Sequence, residues 1–315
     1  MPETDSNHGG TAAVGPSAAA AGTFELAGRP VARVGFGAMQ LPGPGVWGPP
    51  RDRDVALAVL RRAVELGVNH IDTAHFYGDG VANELIHAAL HPYPDDLVLV
   101  SKVGAEPDKD GELLPAQRPK QLRTGVEGNL TDLGVERVDV VNLRVMDAYP
   151  DGSPVPPDHR ADFDSQLAEM VALRDEGKIG GIGISNVTAD QLRRALPAGI
   201  ACVQNAYSVL DRSAEPLLEL CAEHDVAWVP FFPLGSAFPG LPKVTEHPAV
   251  SNAATTIGAT PAQVGLAWLL AHDRHTLLIP GTSNPDHLID NIATASIDLD
   301  PDTIKVLDDL AATPA

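Results

Sequence analysis

Asp72, Tyr77 and Lys102 could together move a proton and Arg144 could hold an oxygen, and each lies at or just past the end of a short apolar run. Asp72 and Tyr77 fall in "HIDTAHFYGDG", Lys102 in "LVLVSKVG" and Arg144 in "VDVVNLRVMD". A tyrosine is a weak acid with a pKa of about 10. An ammonium beside a phenol favours the phenolate and brings proton transfer towards the working range. A carboxylate keeps such a lysine charged and oriented. Together, acid, phenol and lysine could deliver a proton to a carbonyl oxygen as a hydride reaches the carbon. Separately, Asp72 would be a turn cap and Lys102 half of a structural ion pair. Arginine stays charged, only donates, and forks across two acceptors. Arg144 is therefore expected to polarise a carbonyl or hold an anionic oxygen, with a salt bridge to Asp147 or Asp72 as the plain alternative. His75, between Asp72 and Tyr77, is a substrate candidate or a partly solvated loop histidine. His70 reads as a satisfied core residue.

Such residues need a scaffold that brings strand ends together. The runs "RVGFGAM", "VNHID", "LVLVSKV", "VDVVNLR", "IGGIGISN", "ACVQNAYS", "AWVPFFPL" and "TLLIPGT" are too continuously apolar for half-exposed antiparallel strands. Between them lie amphipathic segments. "DRDVALAVLRRAVELG" puts Val55, Val59, Leu60 and Val64 on one face and stops at Gly67. "KQLRTGVEGNLTDLG", "SQLAEMVALRDEGK", "TADQLRRAL", "AEPLLELCAEHD", "TPAQVGLAWLLAHD" and "NPDHLIDNIATA" follow, several opening on Thr, Asp or Asn as N-terminal caps. Strand and helix alternating eight times predict a (β/α)8 barrel, preceded by a short hairpin in "TFELAGRPVARVG". A doubly wound sheet would want a third glycine that "GFGAMQ" lacks. Loop insertions are expected at about 104–118, 145–162 and 235–250. In a barrel of this kind the strand ends form the site, and adjacent ends lie roughly 5 Å apart.

Composition bounds the rest. The chain has 315 residues and a formal charge of −20, which disfavours nucleic-acid and anionic-membrane partners. No apolar run reaches the roughly 18 residues of a membrane span. Residues 1–22, rich in Gly, Ala and Pro, are expected to be a flexible tail rather than a signal peptide, leaving 23–315 as one domain and a cytoplasmic location. Cys202 and Cys221 read as buried small hydrophobes. The strands carry no H-x-H or clustered ligands, so no metal is expected.

The motifs "GFGAMQL", "NHIDTAHFYG", "VSKVG", "GISNV", "VQNAYS", "FFPLGS" and "IPGTSNPDHLIDN" occur in an order that resembles the aldo-keto reductase family over residues 31 to about 310. The resemblance implies reduction of a small-molecule aldehyde or ketone with NADP(H), and a tetrad of Asp, Tyr, Lys and His. Asp72, Tyr77 and Lys102 match; Arg144 stands where the family usually has histidine, and His75 is a candidate to stand in for it. For the cofactor the resemblance implies Ser185, Asn186 and Gln204 against the carboxamide, Phe231 on the nicotinamide ring, and Ala38 and Met39 nearby. Leu234 and Ser236 would meet the pyrophosphate, and Pro280, Gly281, Thr282, Ser283, His287 and Asn291 the adenosine end. Gly281 and His287 take places where many relatives have Lys and Arg, so NADPH over NADH rests on resemblance alone. The loop "MQLPGPGVWGPPRDR" would set Trp47 over the barrel mouth, as a stacking surface for a flat substrate or as a plug. With "VNHIDTAHFYG", "VDVVNLR" and "VPFFPLG" it is similar to the bacterial pyridoxal reductases of that family, which implies pyridoxal going to pyridoxine. The competing readings are an NADPH-binding regulatory protein with little turnover and a Schiff-base aldolase using Lys102.

Overall fold

In the computed structural model the described residues are 15–149, 153–235 and 242–312. A hairpin of β1 (Thr23–Leu26) and β2 (Arg29–Ala32) comes first, turning at Ala27 and Gly28, both at positive φ. A parallel sheet follows, built from β3 (Phe36–Gly37), β4 (His70–Asp72), β5 (Val98–Val103), β8 (Val138–Arg144), β9 (Ile179–Ser185), β10 (Ile200–Gln204) and β11 (Ala227–Trp228), each pairing with the next. The segment 276–279 is the eighth stave. Leu278 bridges Val34 in parallel on one side, and Thr276 bridges Trp228 on the other. The hydrogen bonds Gly35 N–H to Leu278 O and Leu277 N–H to Trp228 O, both 2.8 Å, close the ring. The expected (β/α)8 barrel is the fold.

The period-two pattern sorts the side chains. Val98, Val100, Val140, Cys202, Ala227, Val229 and Leu277 fill the interior with Leu26 and Val31 of the hairpin, which plugs the barrel floor. The alternate residues Ile71, Leu99, Val141, Leu143 and Ile184 face the helices in a larger outer core. Both cysteines are free and buried, as expected, and burial pushes the Cys202 thiol up to about 12.

The helices are α1 (Arg53–Glu65), α2 (Val81–Leu90), α3 (Pro119–Leu133), α4 (Phe163–Asp175), α5 (Ala189–Ala195), α6 (Glu215–Glu223), α7 (Pro248–Ile257), α8 (Pro261–His272), α9 (Pro285–Ala293) and α10 (Pro301–Asp308). Asp52, Thr188, Thr260 and Asn284 cap their helices through the side chain, as their types suggested, and Asp162 caps α4, which begins at Phe163 rather than at Ser165. Gly134 takes the left-handed conformation that ends α3.

Two expectations change. Residues 104–118 are not an irregular loop but a hairpin of β6 (Ala105–Pro107) and β7 (Leu113–Pro115). The flexible tail does not run to residue 22, because Ala18–Ala21 form a 3-10 turn. Ala18 is fully buried, and its N–H donates to Leu66 O at 2.9 Å. The rest of that expected tail, residues 1–14, lies outside the described residues, as does Ser236.

Candidate active site

β4 and β5 place Asp72 and Lys102 on the inner face at the C-terminal rim, both buried. Lys102 Nζ donates to Asp72 Oδ1 and, at 2.9 Å, to Thr73 O. Burial alone lowers the lysine pKa, but the charges and hydrogen bonds of Asp72 and Tyr77 outweigh it, so the net shift is upward. The contacts with Asp72 and Thr73 favour the ammonium form of Lys102 and lend no support to the amine nucleophile of a Schiff-base aldolase. Its Nζ lies 5.0 Å from the centroid of the Tyr77 ring. Tyr77 is half-buried and packs edge-on against Phe76, with centroids 5.3 Å apart, over a small cluster of Ala74, Ala105 and Met146.

The turn carrying Tyr77 is shaped by Gly78, Asp79 and Gly80, all at positive φ. Gly78 N–H donates to Val46 O at 3.0 Å, which ties this turn to the loop before Trp47. A Cβ on Gly111, at the tip of the β6–β7 hairpin, would lie 2.8 Å from the Trp47 indole. Trp47 therefore sits at the rim beside Tyr77 with one side covered by that tip. His75 turns the other way: its Nδ1 lies 3.1 Å from Asp132 Oδ2 on α3, so the ring fastens the turn to the helix layer and not to the mouth.

Arg144 ends β8, and a Cβ on Gly104 would stand 2.3 Å from its carbonyl oxygen, so only glycine lets the end of β5 lie so close. The guanidinium carbon is 5.9 Å from the Phe231 ring centroid. Its Nε is buried with no partner, and among the described residues Arg144 makes no salt bridge. Neither Asp147 nor Asp72 pairs with it: Asp147 accepts from Gln191 at 3.4 Å, and Asp72 is occupied by Lys102 and Gln204. Burial lowers the arginine pKa, and the nearby Tyr77 phenol only partly offsets this.

The next strand ends carry open polar atoms. Gln204 Nε2 donates to Asp72 Oδ2 at 2.7 Å, while its Oε1 and the Ser185 hydroxyl are buried without partners. A carboxamide, with donors on nitrogen and an acceptor oxygen, fits both. Asn186 is in the left-handed region at φ 59 and spends its amide on Val145 O at 2.8 Å. Phe231 is half-buried and packs edge-on against Phe232. Ala38 and Met39 lie in the 3-10 turn Ala38–Gln40 directly after β3, and Leu234 begins the next turn. Across the seam, a Cβ on Gly281 would meet Gly37 O at 2.3 Å, which accounts for glycine there. Pro280 is buried, and the Thr282 hydroxyl accepts from Asn284 N–H at 2.9 Å. Ser283 and His287 are exposed at the start of α9, and Asn291 is half-buried in it.

His70 is a buried core residue as expected, but not a satisfied one: both ring nitrogens lack partners, and burial lowers its pKa to about 4. Its ring fills the space that Gly35 leaves, where a Cβ would come within 2.2 Å. Residues not singled out from the sequence also shape the site. Phe76 and Met146 wall Tyr77, and Gln117 clamps the loop after β8 by exchanging two bonds with the Met146 backbone. Phe76 and Met146 lie within quoted motifs but have no chemistry of their own to mark them, and Gln117 belongs to none of those motifs.

A closed parallel barrel with acid, lysine and tyrosine on one rim, beside the open polar atoms of Ser185 and Gln204, is the arrangement of a class of barrel oxidoreductase. The chain belongs to the aldo/keto reductase family, whose family model matches residues 33–312. It is 44% identical over 290 residues to pyridoxine 4-dehydrogenase of Escherichia coli, covering 92% of this chain and 98% of that protein. It is 35% identical over 295 residues to an uncharacterized oxidoreductase of Schizosaccharomyces pombe, covering 93% and 90%. The crystal structure of an aldo/keto reductase from Klebsiella pneumoniae in complex with NADP and acetate superimposes with a TM-score of 0.73 at 27% identity, covering 93% of this chain and 96% of that one.

Proposed function

We propose that the chain reduces an aldehyde to an alcohol with NADPH, and that pyridoxal is its substrate. The observation that carries the reading is the buried ammonium of Lys102, held by Asp72 and facing the Tyr77 ring at 5.0 Å. When bound, NADPH supplies the hydride. Ser185 Oγ and Gln204 Oε1, both open and buried, would hold its carboxamide, and the residues from Pro280 to Asn291 would hold its adenosine end. Tyr77 transfers its hydroxyl proton to the carbonyl oxygen as the carbon is reduced. The phenolate left behind is balanced by Lys102 and takes its proton back from water. Arg144, uncommitted to any carboxylate, donates to oxygen on the substrate.

Pyridoxal is supported by the Escherichia coli relative and by chemistry. Its aldehyde stands beside a ring oxygen that readily ionises, and Arg144 supplies the matching charge while Trp47 offers a flat surface at the rim. An NADPH-binding regulatory protein would fit the same cofactor groups but has no use for the Tyr77–Lys102 arrangement. The test is a panel of aldehydes and ketones that includes pyridoxal, followed by loss of NADPH absorbance. Multiple turnovers are expected, with Tyr77→Phe lowering kcat by about 10²- to 10⁴-fold. A flat trace for every carbonyl would sink the reductase reading, whereas activity on simple aldehydes without pyridoxal would remove only the substrate.

A further inference from the structure

The outer face of β4 and β5 is apolar except at one level. Ile71, Leu99 and Val103 belong to the outer core, but Thr73 and Ser101 stand on the same face directly behind Asp72 and Lys102. Opposite them, α2 presents Asn83 and α3 presents Asn129, and all four side chains are fully buried. Thr73 Oγ1 donates to Asn83 Oδ1 at 2.8 Å, and Asn83 Nδ2 donates to Asn129 Oδ1 at 2.9 Å. Ser101 Oγ donates to the same Asn129 oxygen at 2.5 Å, and Asn129 Nδ2 donates to Gly125 O at 2.8 Å. Apolar side chains would fill this space without the desolvation cost of four polar groups. Hydrogen-bonded amides do what apolar ones cannot: they admit a single register between helices and strands.

That register leads straight to the proposed catalytic pair. Thr73 supplies the carbonyl that accepts from Lys102 Nζ, and Ser101 is its chain neighbour. Asn83 adjoins Ala82, whose N–H donates to Tyr77 O at 3.2 Å. A slip of α2 would move Tyr77; a slip of Thr73 would move Lys102. We infer that Asn83 and Asn129 are positioning residues that fix Tyr77 against Lys102 through Thr73 and Ser101. The inference rests on the reductase reading above.

The same two helices are joined at their far ends by His87 Nδ1 and Leu133 O, 3.2 Å apart, away from the site. This contact provides the control for a network that merely holds helices together. Thr73→Val and Asn129→Leu are to be compared with wild type and His87→Ala in single-turnover reduction of pyridoxal by NADPH. Readouts are Tm, NADPH affinity by fluorescence and the pH profile of kcat. Thr73→Val and Asn129→Leu are expected to lower kcat by about 10- to 10²-fold and displace its pH profile. NADPH affinity should stay within about twofold, and Thr73→Ser should restore the rate. His87→Ala should lower Tm and leave kcat within about twofold. Wild-type kcat and pH profile in a folded Thr73→Val would overturn the inference, as would an equal loss of kcat in His87→Ala. If Asn129→Leu does not fold, the Thr73→Val and Thr73→Ser pair decides. Absence of turnover in wild type is a different result, because it removes the reductase reading itself.

Discussion

Replacing Arg144 with methionine separates what the guanidinium does for chemistry from what it costs the fold. Its Nε is enclosed and unpartnered, and no carboxylate neutralises the charge among the described residues. An unsatisfied buried donor costs about 1–3 kcal/mol. Part of the Arg144 side chain reaches solvent, so about 1 kcal/mol is the appropriate end of that range. Methionine keeps most of the volume and can rest its sulfur against Phe231. The variant without nucleotide should therefore melt about 2–4 °C higher than wild type in differential scanning fluorimetry. Chemistry should move the other way. A charged donor aimed at a developing oxyanion contributes roughly 10²–10³ in kcat, or about 3–4 kcal/mol. Stopped-flow single turnovers of pyridoxal with NADPH measure that loss. An unchanged kcat/KM would take Arg144 out of the mechanism. A lower Tm with slowed chemistry would refute the claim that the charge is uncompensated, because the variant would then have lost a satisfied contact.

Two further outcomes follow from individual groups. His70 has a folded pKa of about 4 against an ordinary 6.5, so between those values the unfolded chain binds a proton that the native barrel refuses. Stability is unaffected by this group above 6.5, falls with acidification through the window and stops falling below about 4. The full effect is about 3 kcal/mol. Urea titrations of wild type and His70→Leu across that window should diverge by this amount, and a difference independent of pH would show that the imidazole finds a partner. At the proposed adenosine end, residues 279–291 contain no Lys or Arg. His287→Arg in the exposed first turn of α9 should lower KM for NADPH by about 3- to 10-fold and leave NADH unchanged. An equal change for both cofactors would place the 2′-phosphate elsewhere.

The fold was legible because its signals are local. Capping residues before α1, α5, α8 and α9 and the apolar staves are properties of ten-residue windows. α2 was not marked because it starts at Gly80, which offers no capping side chain, and so its short apolar pattern stood without a start signal. The β6–β7 hairpin was hidden by "PDKDGELLP", whose polar composition reads as loop although Asp108 and Gly111 form its turn. At the site, Asp72, Tyr77 and Lys102 could be recognised because strand ends are predictable positions. The orientation of a loop side chain is not. His75 sits two residues from Tyr77 yet faces α3, because Asp132 offers it a partner there. Asn83 and Asn129, 46 positions apart and unremarkable in a helix sequence, meet only once the barrel has closed.

Closure also explains why a glutamine must stand at the end of β10. Asp72 is engaged by Lys102 on one oxygen, so its other oxygen needs a donor. Gln204 turns its amide nitrogen to that oxygen, and this fixes which end of the amide remains. The free atom is Oε1, an acceptor, buried and unpartnered. A glutamate there would place a second carboxylate against Asp72 in the barrel interior, which a buried site tolerates only by taking up a proton. The carboxylate that keeps Lys102 charged therefore also dictates that the neighbouring pocket accepts a hydrogen bond. An amide N–H can satisfy that pocket and a carboxylate ligand cannot. Lys102 of the proposed proton-donating pair and Gln204 of the proposed nicotinamide seat are thus oriented by the same residue, Asp72, from two sides.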